Sequence, residues 1–284
     1  MKTHFLNILL VAFFLVSCND INQDLESKSN VFTATVESSI TRTALSNDTN
    51  VLGCYSLFWM SGDEISISDY TTTAFFKTTS NLSSSAEFVC DEGKISYKAS
   101  EYVAFYPSTI TLDNMILPAK QTYVEGNVAN FPMRAVASNK NLAFKNLCGI
   151  IRFSLKSEEN NQFAISSIAL SADKGMSGTF SIGDDNAAIV TGTDGVVLEC
   201  LEPELLNISK ETDFNIIVPQ GSYNSMRVKI SDDKGNEVNL VAEASVVVKR
   251  SEITCLSLTI FKATFDALLE NIPITDSNVD FSER

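Results

Sequence analysis

The chain has 284 residues with 21 Lys+Arg against 35 Asp+Glu, a formal charge of −14, and 44% of its residues are hydrophobic. Such an acidic surface argues against nucleic acid as a partner, and the apolar fraction argues against wholesale disorder. At about 150 residues per domain, the length accommodates two domains, each with enough chain to bury its own core.

The chain opens MKTHFLNILLVAFFLVSCND, with Lys2 as a positive n-region and Phe5 to Val16 as an apolar run. That run is shorter than the about 20 helical residues a membrane span needs, so residues 1–17 read as a secretory signal peptide. Leu15-Val16-Ser17-Cys18 also resembles a lipobox, in which the Cys18 thiol is acylated and becomes the new N-terminus. The competing reading is an ordinary signal peptidase site with a chance cysteine. Acyl chains on Cys18 would anchor the protein to a membrane surface without a transmembrane helix. Without residues 1–17 the balance is 20 Lys+Arg against 35 Asp+Glu. The following stretch, residues 18–30, is polar and reads as a tether.

VFTATV (Val31 to Val36) is strand-like and leads into SSITRTALS, where Arg42 is the one cation among small and hydroxylated residues. An isolated arginine in such a connection suits a trypsin-like protease; it equally suits a solvated loop. Beyond it the apolar period is two. YSLFW (55–59), DEISIS (63–68), AFFKT (74–78), AEFVC (86–90) and YVAFY (102–106) are strand candidates, followed by LAFKNL (142–147). In GIIRFSLK, Ile151, Phe153 and Leu155 alternate with Arg152, Ser154 and Lys156, which predicts one row inward and one outward. ISSIALS, GTFSI, DFNIIVP, MRVKIS, ASVVVK and LSLTI continue the pattern, with Met226, Val228 and Ile230 facing away from Arg227 and Lys229. Turn signals separate these runs, among them Gly183 to Asn186 and Asp232 to Asn236. Neither acidic turn has the order of a calcium loop, so both are expected to be hairpin loops. Many short strands at this spacing predict an all-β protein of sandwiches.

Candidate chemistry is sparse. The only histidine, His4, lies in the signal peptide, which leaves no imidazole for a Ser-His or Cys-His relay or a His-ligated zinc. No spacing identifies a pair of glycosidase carboxylates. An enzyme is therefore not expected, and no cofactor or metal is implied. Cys54, Cys90, Cys148, Cys200 and Cys255 are far apart and odd in number after Cys18, so core cysteines are expected rather than a disulfide scaffold. Trp59, in the apolar run FWM, is expected to be buried or semi-buried. Tyr123 and Tyr223, in loop-like stretches, are the better candidates for contact, and equally suit the role of turn residues.

Taken together, TRT (Thr41 to Thr43), FW..GDEISI (Phe58 to Ile67), YVAFYP (Tyr102 to Pro107), LPAKQTY (Leu117 to Tyr123), LAFKNLCGIIRFSL (Leu142 to Leu155), ISSIALS with GTFSI, and FNIIVPQGSY (Phe214 to Tyr223) follow in an order that resembles the fimbrillin-like (type V pilin) lipoproteins of Bacteroidota surfaces. The resemblance spans most of the chain after the signal peptide. It implies two consecutive transthyretin-like β-sandwich domains, here 31–140 and 141–262, with a tail at 263–284. It also implies outer-membrane lipid anchorage through Cys18 and a maturation protease that cuts at Arg42, removing lipid and first strand together. A strand from another fimbrial subunit would fill the groove left by Val31 to Val36. Anchor subunits of the family keep both lipid and strand, which leaves Arg42 open between scissile and solvated roles.

The tail holds three alternatives. Phe265, Leu268, Leu269 and Ile272 fall at i, i+3, i+4 and i+7, which suits a short helix ending before Pro273. Phe265, Ala267 and Leu269 suit an extended strand, and a frayed terminus is the third reading. The functional expectation is a structural or accessory subunit of a cell-surface fimbria, contributing to adhesion by binding other subunits and a host or bacterial surface receptor. The alternative is a lipid-anchored module that binds glycan or host protein without polymerising.

Overall fold

The computed structural model describes residues 30–37, 57–158 and 163–260, and the backbone of two short strands at 272–274 and 279–280. The described residues contain strands and no helix, so the protein is all-β as the period-two pattern predicts. In chain order, the first half holds β1 (Val31–Thr35), β2 (Glu64–Ser68), β3 (Thr73–Lys77), β4 (Ser85–Gly93) and β5 (Tyr102–Tyr106). β6 (Ile116–Leu117), β7 (Lys120–Thr122), β8 (Met133–Ala137), β9 (Asn141–Ala143) and β10 (Lys145–Asn146) follow. The second half holds β11 (Gly149–Ser157), β12 (Ala164–Ser171), β13 (Gly178–Ile182), β14 (Ala188–Val190), β15 (Val196–Leu205) and β16 (Thr212–Val218). It ends with β17 (Gly221–Tyr223), β18 (Arg227–Asp232), β19 (Glu237–Ala242), β20 (Val246–Val248), β21 (Ile253–Ile260), β22 (Ile272–Ile274) and β23 (Val279–Asp280).

One sheet runs β10-β8-β5-β2-β3-β4-β1-β9. Its two outermost members, β9 and β10, are consecutive in the chain, so residues 141–146 stitch both ends of the sheet together and leave neither β1 nor β8 as a free edge. The expected strand at 142–147 is thus two short ones broken at Phe144, whose ring enters the core. The expected division near residue 140 falls just before these closing strands.

The second half is a sandwich. A sheet β16-β11-β21-β23 faces a sheet β22-β19-β18-β12-β15-β7. Ile151, Phe153, Leu155, Phe214, Ile216 and Leu256 of the first meet Ile168, Leu198, Val228, Ile230 and Leu240 of the second in one apolar cluster. The alternation read from MRVKIS holds, with Val228 and Ile230 buried and Arg227 and Lys229 exposed. In GIIRFSLK it holds only for the inward row: Arg152 and Ser154, expected outward, are buried on the other face of a central strand.

The two halves interlock. β7 of the first half adds parallel to β15, and β6 pairs with β13. In return Phe180 and Ala188 of the β13–β14 hairpin are buried in the first half's cluster with Phe32, Phe76, Phe88 and Phe144. The Gln121 side chain imitates a strand on β16, donating to the Ile217 carbonyl at 2.8 Å and accepting from its N–H at 2.9 Å. The loop readings of the acidic turns hold. Asp232 accepts from the N–H groups of Lys234 and Asn236, which ties up its carboxylate within the β18–β19 hairpin.

Candidate strand slot and carboxylate clasp

Cys18 and Arg42 lie outside the described residues; the flanks of Arg42 are visible at Glu37 and again from Leu57. The strand before Arg42 is the centre of the candidate site. β1 runs antiparallel to β4 (Phe32 opposite Phe88, Ala34 opposite Ala86) and parallel to β9 (Ala34 opposite Leu142). Its alternation is real: Phe32 and Ala34 are fully buried while Thr35 is exposed.

The walls of the slot are aromatic. The Phe32 ring meets Phe76 at 5.1 Å and Tyr102 at 5.0 Å between centroids, both edge to face, geometry that adds to area burial. Trp59 is buried, as its apolar run predicted, and packs edge to face on Phe88, Tyr106 and Phe144. Its Nε1–H donates to the Ala34 carbonyl at 3.0 Å. Loss of β1 would therefore strip the indole of this acceptor, unpair two ladders and expose the ring pocket.

At the strand's C-terminal end sits Glu37, which sequence reasoning did not single out. Its carboxylate meets Arg250 at 2.7 Å and 3.2 Å. It also accepts from the Asn146 backbone N–H at 3.0 Å and the Ser251 hydroxyl at 3.2 Å. These partners are more than a hundred residues away, and no local pattern announces such a contact. Burial pushes the Glu37 carboxyl up, but the hydrogen bonds from Arg250, Asn146 and Ser251 with the Arg250 charge outweigh it, and the net shift is downward.

A carboxyl held below its ordinary value contributes stability at neutral pH that is lost as pH falls through the folded value. Glu37→Gln is accordingly expected to weaken the fold by about 1 kcal/mol at pH 7, the range of a charge-assisted bond discounted for partial exposure. The difference should begin to shrink as pH falls past 4.5, the group's ordinary value, where the unfolded chain takes up the proton, and shrink further toward the lower folded value. Urea unfolding of both proteins between pH 7 and 3.5 checks this. A difference that does not vary with pH would remove the charge from the account. Asp63, which burial pushes up, is common to both proteins and cancels.

The other sequence candidates fall elsewhere. Tyr123 packs on Phe214 at 4.9 Å, and Tyr223 is buried with its hydroxyl donating to the Pro219 carbonyl at 2.7 Å. Neither is the exposed platform a ligand would need, which corrects the expectation made for them. Cys148 is buried, and burial pushes its thiol up. Cys90 and Cys200 are half-buried against the two apolar clusters. Among the described residues no three His, Cys, Asp or Glu side chains could hold a metal ion.

A closed sheet, a sandwich and a strap of residues 116–123 joining them define an all-β architecture whose first strand sits in an internal slot. Solved structures of similar chain path include three from Bacteroidales. A candidate cell adhesion protein from Bacteroides ovatus is similar over 80% of this chain and 91% of its own, at 11% identity and a TM-score of 0.48. A fimbrial assembly protein from Parabacteroides distasonis is similar over 89% and 99%, at 11% identity and 0.37. The tip fimbrial protein Mfa3 from Porphyromonas gingivalis is similar over 78% and 93%, at 9% identity and 0.35. No protein-family model matches the chain, and no curated protein matches it.

Proposed function

We propose that the protein is a non-enzymatic structural or accessory subunit of a cell-surface fimbria. In this reading lipid on Cys18 holds the precursor at the outer membrane, a maturation protease cuts after Arg42, and a strand from another subunit replaces β1. The observation that carries it is the covalent isolation of a buried strand. β1 supplies two fully buried side chains and two ladders, yet it is linked to the strands that follow it only through residues 38–56, where Arg42 is the sole Lys or Arg. A single cut there leaves β1 held by non-covalent contacts alone, and a slot with unpaired N–H and C=O groups on both walls is relieved by any strand of matching pattern. Adhesion follows from assembly, through a receptor on a host or bacterial surface.

The test is limited trypsin treatment of a soluble form beginning at Asn19, followed by intact mass and size-exclusion chromatography. Release of the fragment ending at Arg42, with conversion of the remainder into SDS-resistant oligomers, is the expected result. A cut remainder that keeps its fragment, or loses it and stays monomeric, would overturn assembly by strand replacement and return the chain to a lipid-anchored binding module.

A further inference from the structure

A cavity of about 410 Å³ lies between residues 57–63 and the loop 125–131, within the size range of small-ligand sites. Trp59, Phe131 and Met133, each at most 2% exposed, form its buried end. Met60 and Leu82 also line it and are exposed, so the apolar wall runs out to solvent. Tyr106 borders it, its ring edge to face on Trp59 at 5.4 Å. The facing loop is turned by Gly126 at a φ of 63° and Asn130 at 56°. Within it the Asn127 N–H donates to the Val124 carbonyl at 3.0 Å, and the Asn127 carbonyl accepts from the Asn215 side chain at 3.5 Å. These bonds hold the exposed Glu125 beside the opening.

The charge of this lining has one sign. Asp63 and Glu125 carry it, and among the described residues no lysine or arginine belongs to the wall. The Tyr106 hydroxyl donates to Asp63 Oδ1 at 2.9 Å, and the Met60 N–H donates to Oδ2 at 2.8 Å. Both donors are neutral. A carboxylate offers about four acceptor positions, so about two on Asp63 stay open to a ligand. Burial pushes the Asp63 carboxyl up by more than these two bonds bring it down, as expected of a carboxylate with no cation beside it. A metal ion is a poor match, since among the described residues no three His, Cys, Asp or Glu side chains could hold one. Aromatic walls and two carboxylates suit an organic cation with an apolar body.

We infer that this cavity binds a primary ammonium group on an unbranched aliphatic stem, the chemistry of a lysine side chain or of a free alkylamine. The ammonium donates to the open positions of Asp63, while Glu125 at the opening draws the cation in. The stem lies along the wall that Met60 and Leu82 continue to the surface. A primary ammonium fits better than a quaternary one because Asp63 has hydrogen-bond acceptors to offer and a quaternary group has no donor. The inference concerns the subunit with β1 in place and does not depend on strand replacement.

Trp59 is the chain's only tryptophan, so its fluorescence reports on the cavity directly. The uncut chain from Asn19 is titrated with n-butylammonium, n-butanol and Nα-acetyl-lysine methylamide. Butylammonium is expected to change the emission saturably and to bind about tenfold tighter than butanol, which has the same stem and no charge. Asp63→Asn should weaken the amine by about tenfold, and Glu125→Gln by about twofold. The comparison of amine with alcohol changes only the ligand, and Glu125 lies on an exposed loop, so the outcome does not hang on the folding of the Asp63 variant. Equal binding of amine and alcohol, or amine binding that neither substitution weakens, would overturn the ammonium site. The absence of any saturable change would overturn the cavity as a binding site while leaving the fimbrial reading untouched. Capped lysine binding at least as tightly as butylammonium assigns the ligand to a polypeptide; butylammonium binding alone assigns it to a free amine.

Discussion

Phe32→Ala is expected to destabilise the protein by about 3–5 kcal/mol, the range for deleting a fully buried phenylalanine. The side chain is wholly enclosed, and its ring is held edge to face by Phe76 and Tyr102 and flanked by Tyr97 at 6.1 Å. Phe76 and Tyr102 are fixed in the ladders of β3 and β5 and cannot follow the lost ring without disturbing them, so the cavity persists. Phe32→Leu, which keeps most of the volume, should cost about 1.5 kcal/mol or less. Urea unfolding measures both. The functional consequence is sharper than the stability loss. Once the chain is cut after Arg42, β1 remains only by its contacts, and a loss of about 3 kcal/mol corresponds to a release favoured by about 100-fold. Spontaneous loss of the fragment in Phe32→Ala, before any donor is added, is therefore expected by size-exclusion chromatography with mass detection. A variant that retains its fragment as the unaltered protein does would show that the ladders, not the ring, hold the strand.

The parts of this architecture legible in the sequence are those with one wet face. VFTATV and MRVKIS alternate because one row packs and the other meets water, and both strands lie where the alternation puts them. Strands that join the halves were missed. Lys120–Thr122 has no apolar row, and its pairing with β15 comes from backbone groups and the strap that delivers it. Val196–Leu205 carries Glu199, Glu202, Pro203 and Glu204, and β12 bulges opposite it between Ile165 and Ser167, which breaks the period that would have marked it. Ile272 completes a helical spacing, yet with Pro273 and Ile274 it pairs beside Leu240, Val241 and Ala242, because an unpaired β19 edge rewards an extended backbone. Residues 265–271 lie outside the described part, so the helical and extended readings there rest on sequence alone. In the candidate site, the buried strand was legible from the alternation of VFTATV. The clasp was not, since Glu37 and Arg250 are brought together only by the interlocking of the halves.

Arg152 marks where alternation fails on energetic grounds, and its replacement has the second large expected effect. It sits mid-strand in β11, between β16 and β21, and it and Ser154 are buried on the face expected to meet water. The residue is 5% exposed; its Nε–H donates to the Asn215 side chain at 2.9 Å, and Nη1 stands 3.3 Å from the Asp213 carboxylate. Ser154 donates to the same Asp213 at 2.7 Å, and Asn215 reaches the Asn127 carbonyl at 3.5 Å. The network therefore seats the chain segment after Tyr123 against the sandwich. Arg152→Ala leaves the Asn215 oxygen buried without its donor and Asp213 without its cation, at an expected cost of about 3 kcal/mol. Arg152→Met restores the packing of the aliphatic stem but not the donors, and should recover about half of that loss. Full recovery by methionine would show that volume, not the polar network, is what β11 requires there. An alanine variant as stable as the unaltered protein would mean that the strap closes over this face without the arginine.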